Sequence, residues 1–185
     1  MKTLIDQLDV LQTMGPLSFL AFRDSLGSAS GLQSVQFREL EFMLGYKQPK
    51  VLHHHPEGST RRQRLERRLT EPSLVDHFYD FLAGRGVEIP AMLRNKPPER
   101  PNEPNEAIQG ALLGLYKERA DIRMLLESMT DFDQGLQEWR YRHLKTVERT
   151  IGNKSGTGGT SGAEYLKRTL FQPVFPDLWE MRNRI

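Results

Sequence analysis

Apolar residues recur at three- and four-residue steps along most of the chain, and strand-like alternation is scarce, so the pattern predicts an all-α helical bundle. Leu4, Leu8 and Leu11 share one face of a first helix that ends near Met14. Pro16 opens a second helix, from which Phe19, Phe22 and Leu26 face inward until Gly27-Ser28-Ala29-Ser30-Gly31 interrupts it. A third helix runs from about Leu32 to Leu44, with Phe37, Leu40 and Leu44 as its stripe and Gly45 as its stop.

Residues 46–58 read as a loop, and Ser59 caps an Arg-rich helix reaching Leu69. Glu71-Pro72-Ser73 opens the next helix, with Leu74, Phe78 and Phe81 inward and Gly84-Arg85-Gly86 at its end. Pro90, Pro97, Pro98, Pro101 and Pro104 make the stretch near 90–104 an exposed, mobile loop. Beyond it, Ile108, Leu112 and Leu115 stay in phase with Ile122, Leu126 and Met129, which predicts one long helix with a narrow apolar seam. Arg119 breaks that seam, its guanidinium reaching solvent or meeting an acid of a neighbouring helix. Thr130 caps a following helix whose stripe is Phe132, Leu136, Trp139, His143, Val147 and Ile151. Gly152 to Gly162 is a glycine-rich loop, closed by a Ser161/Glu164 capping box. The whole, residues 1–185, reads as a single helical domain without internal repeats.

Charge narrows the function classes only a little. With 26 Lys+Arg against 24 Asp+Glu, the net charge of +2 gives no electrostatic argument for a nucleic-acid binder. The cluster Arg61, Arg62, Arg64, Arg67, Arg68 lacks aromatic interleaving and reads as a solvated helix face. The absence of cysteine excludes disulfides, thiolate metal sites and a Cys nucleophile. Acids interrupt the apolar residues of the N-terminus and no run approaches a membrane span, so the expectation is a cytoplasmic protein with no membrane contact.

Three features could carry chemistry. His143 occupies a core-facing position one turn after Trp139, where an imidazole is either a hydrogen-bonded core residue or a ligand; a single axial bond to haem iron needs only one histidine. The Gly152–Gly162 loop is either a linker or a backbone cradle for an anion or zwitterion, and it matches neither the phosphate-loop nor the dinucleotide pattern. Arg23, among Phe19, Phe22 and Leu26, either reaches the surface or pairs with a carboxylate. His53-His54-His55 lacks the spacing of a fixed metal site.

Several stretches together resemble the haem-dependent tryptophan 2,3-dioxygenase family. They are Phe22-Arg23-Asp24-Ser25-Leu26, Ala29 to Arg38 (with Ser30-Gly31-Leu32-Gln33-Ser34), Trp139-Arg140-Tyr141-Arg142-His143, Gly156-Thr157-Gly158-Gly159-Thr160-Ser161-Gly162 with Tyr165-Leu166, and Phe175-Pro176-Asp177-Leu178-Trp179. The resemblance implies a helical fold of the indoleamine/tryptophan dioxygenase type, haem b (iron protoporphyrin IX) as cofactor, O2 as co-substrate, L-tryptophan or a related indole as substrate, and a homotetramer. His143 would be the proximal ligand of the haem iron and Trp139 its neighbour, with Arg38 and Tyr165 also near the haem. Arg23 would hold the tryptophan carboxylate, Thr157 and Gly158 would complete recognition of the amino-acid end, and Phe19, Leu26, Ser30 and Gly31 would line the pocket. The expected reaction inserts both atoms of O2 across the indole C2–C3 bond to give N-formylkynurenine, the first step from tryptophan to kynurenine.

Against the family pattern the chain reads as lacking an N-terminal helical section with a distal-side histidine, so no catalytic base is assigned. That leaves two further readings: a haem-dependent indole monooxygenase, and a non-catalytic subunit that needs a longer paralogue.

Overall fold

The computed structural model describes residues 2–25, 35–152 and 162–185, and among them every regular element is helical. In order they are α1 (Lys2–Gln12), α2 (Pro16–Ser25), α3 (Val35–Leu44), a 3-10 turn (Pro49–His54), α4 (Thr60–Thr70), α5 (Leu74–Ala83), α6 (Ala91–Arg94), α7 (Glu106–Glu118), α8 (Ala120–Ile151), α9 (Gly162–Thr169), α10 (Pro176–Glu180) and a closing 3-10 turn (Met181–Arg184). The chain divides into two compact units. One comprises Met1–Gly31 with Asp131–Pro173, the other Leu32–Thr130 with Val174–Ile185.

In the unit built on α3 to α7, the α3 stripe differs from the expected Phe37, Leu40 and Leu44. Val35, Arg38, Phe42 and Leu44 are the buried positions, and Val35 and Phe42 pack with Val51 and Leu65. A buried arginine sits where the apolar pattern leads one to expect solvent, which shifted the inferred face. Gly45 ends α3 at φ 100°, a conformation that side chains with a Cβ rarely adopt. The segment 46–58 holds a 3-10 turn rather than only loop, and its Val51 joins the core.

Ser59 accepts the Arg62 N–H at the start of α4 as expected. Ser73 forms a reciprocal capping box with Asp76 at the start of α5. The buried face of α5 is Val75, Phe78, Tyr79 and Leu82; Leu74 is 39% exposed, because the residue next to the cap points outward. The proline-rich stretch contains the single turn α6, Ala91–Arg94, so it is not loop throughout.

The helix expected from 108 to 129 is two helices. Arg119 adopts extended dihedrals (φ −123°, ψ 101°) between α7 and α8, and its guanidinium pairs in the open with Asp121 at 3.0 Å. A one-residue interruption leaves a seven-residue repeat intact, so the apolar pattern could not report it. Conversely Thr130 caps nothing. It lies inside the 32-residue α8 and its hydroxyl donates to the Leu126 carbonyl at 2.9 Å.

The end of the chain closes this unit. Val174, Leu178 and Met181 are fully buried, and Phe175 meets Phe78 edge-on at 5.2 Å. Asp177, 3% exposed, accepts the Asn105 backbone N–H at 2.6 Å and the Gln109 amide at 3.2 Å. Asn105 in turn caps α7, its side chain accepting from Ala107 and Ile108. Arg182 donates to Glu127 at 2.9 Å and to Thr130 Oγ1 at 3.1 Å.

The other unit pairs α8, from Asp131 onward, with α9. Leu144, Ala163 and Leu170 form its buried cluster, with Val147 and Leu166 around them. Ile5 and Leu8 are buried on α1, and Asp9 receives Arg142 at 3.0 Å. Gly152 follows α8 at φ 61°. Residues 153–161 lie outside the described residues, and with them Ser161 of the expected Ser161/Glu164 box and nearly all of the loop before it.

Candidate functional site

α8 carries Trp139 and His143 one turn apart, so their side chains project from one face. The rings stack, with centroids 5.3 Å apart and planes 1° apart. Both residues are half-buried. Burial holds the His143 imidazole below its ordinary pKa of 6.5, because removing water penalises the charged ring. At neutral pH the ring is therefore uncharged, with a lone pair on one nitrogen. Among the described residues nothing donates to or accepts from that imidazole. A neutral imidazole with no hydrogen-bond partner among the described residues can serve as a nitrogen donor to a metal ion.

The flank of this pair is tied down from several sides. Arg140 is buried and donates to the Thr169 and Gln172 carbonyls. Arg142 spans Asp9 and Glu138. Glu148 accepts from Lys145 at 2.9 Å and pairs with Lys167 at 3.3 Å, which holds its carboxyl below the usual range.

Of the other residues inferred from sequence, Phe19 is half-buried on α2. Arg23 on α2 and Tyr165 on α9 belong to the same unit, their side chains being outside what is described. Leu26, Ser30, Gly31, Thr157 and Gly158 lie outside the described residues. Arg38 belongs to the other unit, where it is 2% exposed and ion-paired with Glu41.

The arginine cluster on α4 is largely neutralised in place. Arg62 meets Glu66, Arg64 meets Glu39, and Arg67 and Arg68 both meet Glu71. Of the three adjacent histidines, His53 and His54 are exposed while His55 is 4% exposed with its Nε2 unpartnered. Among the described residues no group of three His, Asp or Glu is placed to hold a metal ion, and no helix is long and apolar enough to cross a membrane.

Sequence reasoning missed Arg140 and Asp177. The signal for Arg140 was its place four residues before Leu144 and seven before Val147, on the stripe that α9 covers. Asp177 gave no local signal, since its partners lie 72 and 68 residues away.

Comparison with known proteins agrees with this arrangement. The sequence model described as tryptophan 2,3-dioxygenase matches residues 1–83 and 100–185. A tryptophan 2,3-dioxygenase of Herpetosiphon aurantiacus is 50% identical over 98% of this chain and 69% of its own length. One from Anaeromyxobacter sp. strain K is 45% identical over the whole chain and 69% of its own length. Another from Bacillus thuringiensis subsp. konkukian is 41% identical over 98% of the chain and 66% of its own length. The chain thus spans about two thirds of these relatives. Matches of this identity and extent, joined to a neutral histidine presented by an all-helical scaffold, place the chain in the tryptophan 2,3-dioxygenase family.

Proposed function

We propose that this chain takes part in the haem-dependent oxidation of L-tryptophan by O2, opening the indole ring between C2 and C3 to give N-formylkynurenine. The observation that carries the reading is the neutral His143 imidazole, held against Trp139 and without a hydrogen-bond partner among the described residues. Bound haem b supplies the O2 chemistry that amino-acid side chains lack. His143 would hold the haem iron through a ring nitrogen, and Trp139 would restrain the plane of that ring. Arg38 and Tyr165 are assigned to the surroundings of the haem.

The substrate needs a clamp at its charged end and an apolar wall at its ring. Arg23 matches the carboxylate with a planar fork of donors, and Thr157 with the backbone at Gly158 receives the rest of the amino-acid group. Phe19, Leu26, Ser30 and Gly31 provide the wall that keeps water from the indole. The assembly is a homotetramer working in the cytoplasm.

The test is a haemin titration of the purified protein with optical spectra before and after L-tryptophan, repeated for His143→Ala, followed by turnover under labelled O2. Support is a one-to-one Soret band that is lost in H143A and perturbed by tryptophan, with two labelled oxygens in the product. One labelled oxygen would replace the reaction by a monooxygenation, and haem bound as tightly in H143A would remove His143 as ligand.

A further inference from the structure

Arg140 lies one residue past Trp139 and three before His143, and it is only 9% exposed. Its Nη1 donates to the Gln172 carbonyl at 2.7 Å and the Thr169 carbonyl at 3.2 Å. Thr169 is the last residue of α9, so Arg140 supplies donors at a helix end whose carbonyls lack intrahelical partners, and its charge complements the negative end of that helix. Farther along α8, Leu144 packs with Ala163 and Leu170, with Val147 and Leu166 completing the seam. Glu148 then pairs with Lys167. Arg140, Leu144, Val147 and Glu148 recur at steps of four, three and one and form a single stripe packed against α9 and the residues that follow it.

Trp139 and His143 form the neighbouring stripe, about 100° away around the helix at 3.6 residues per turn. The α9 contacts therefore fix the rotation of α8 about its own axis, and with it the direction of the imidazole. Ligand geometry has to be held within about 0.5 Å and 10–20° to be productive. Without Arg140, the non-directional apolar contacts and the partly exposed Glu148–Lys167 pair are what the seam keeps to resist rotation.

We propose that Arg140 is a positioning residue for His143: by clamping the end of α9 to α8, it sets the angle at which the imidazole meets the haem iron. The role rests on the reading of His143 as the haem ligand. It predicts that removal of the clamp changes the quality of the iron–imidazole bond, beyond any loss of stability.

The experiment compares the wild-type protein with Arg140→Met, Arg140→Lys, His143→Ala and, as a destabilising control in the other compact unit, Leu65→Ala. Haemin stoichiometry and the iron–imidazole stretching band of the ferrous protein are recorded, with hydrogen exchange of residues 163–172 measured with and without haemin. In R140M the expected result is a shifted or split band and at least tenfold faster exchange in α9. R140K restores part of both, H143A has no band, and L65A keeps the wild-type band. A wild-type band in R140M alongside its loss in H143A overturns the positioning role alone, as does an equal shift in L65A. A haem spectrum unchanged in H143A overturns the ligand assignment and the positioning role with it.

Discussion

The indole of Trp139 and the imidazole of His143 lie parallel within 1°, with 5.3 Å between their centroids. Stacked aromatic pairs contribute about 0.5–1.5 kcal/mol beyond the area they bury. Here that energy restrains a ring whose donor atom has no other tether among the described residues. Trp139→Phe is expected to keep a ring against the imidazole and hold haem affinity near wild type. Trp139→Ala should weaken it by up to about tenfold, the same energy converted. Equal haemin affinities for W139A and wild type would sink this account of the pair.

Asp177 accepts two hydrogen bonds in a buried place, and burial pushes its carboxyl above the ordinary 3.8. Asp177→Ala leaves the Asn105 N–H and the Gln109 amide without their acceptor, at a cost of about 1–3 kcal/mol. Asp177→Asn keeps an acceptor oxygen and removes the charge. A raised folded pKa means that the contribution from protonation is fully present below about pH 3.8 and is lost as pH rises through the folded value. Denaturant titrations between pH 3 and 7 should therefore show D177N gaining on wild type as pH increases; a gap moving the other way would contradict the assignment.

His55 has the opposite pH signature. Its buried Nε2 has no partner, and burial, followed by the charges of Arg61 and His54, lowers its pKa below 6.5. The unfolded chain takes up a proton that the folded site resists, so stability is complete above about pH 6.5 and is lost as pH falls toward the folded value. His55→Leu should flatten the fall in Tm between pH 7 and 5 without lowering Tm at pH 7. His143, also depressed by burial, keeps part of the slope in that variant. An unchanged slope in H55L would assign the acid sensitivity elsewhere.

The Arg142–Asp9 pair bridges α1 and α8 at 3.0 Å, with both side chains at least 36% exposed. Exposed pairs of this kind contribute about 0–1 kcal/mol and are screened by salt. Asp9→Asn is expected to cost less than about 1 kcal/mol, with the difference vanishing at high ionic strength. A larger, salt-independent loss would give the pair a structural weight that its exposure does not suggest.

Caps were the most legible part of the fold. Ser59, Ser73 and Gly45 do in the structure what their chemistry promises, because a cap is satisfied by residues two to four positions away. Faces were less legible. On α3 the buried Arg38 interrupts the apolar pattern, and on α5 Leu74 and Phe81 offer an apolar face as plausible as the one that Val75 and Tyr79 take. Breaks were least legible: Arg119 leaves the heptad phase undisturbed, and the Thr130 hydroxyl that reads as a cap is engaged by Leu126 and by Arg182 from 52 residues away. The site followed the same rule. His143 announced itself by standing in an apolar stripe, whereas Arg140 shows its purpose only once the end of α9 is seen beside it.

The unit containing α3 to α7 is discontinuous along the chain, and its fully buried Val174, Leu178 and Met181 come from a segment made after Leu32–Thr130 and after the intervening Asp131–Pro173. During synthesis, Ile108, Leu112 and Phe78 emerge long before those side chains exist to cover them. This unit cannot complete its native packing until residues 174–185 have also been made, and until then the apolar surface that they cover stays open to other contacts.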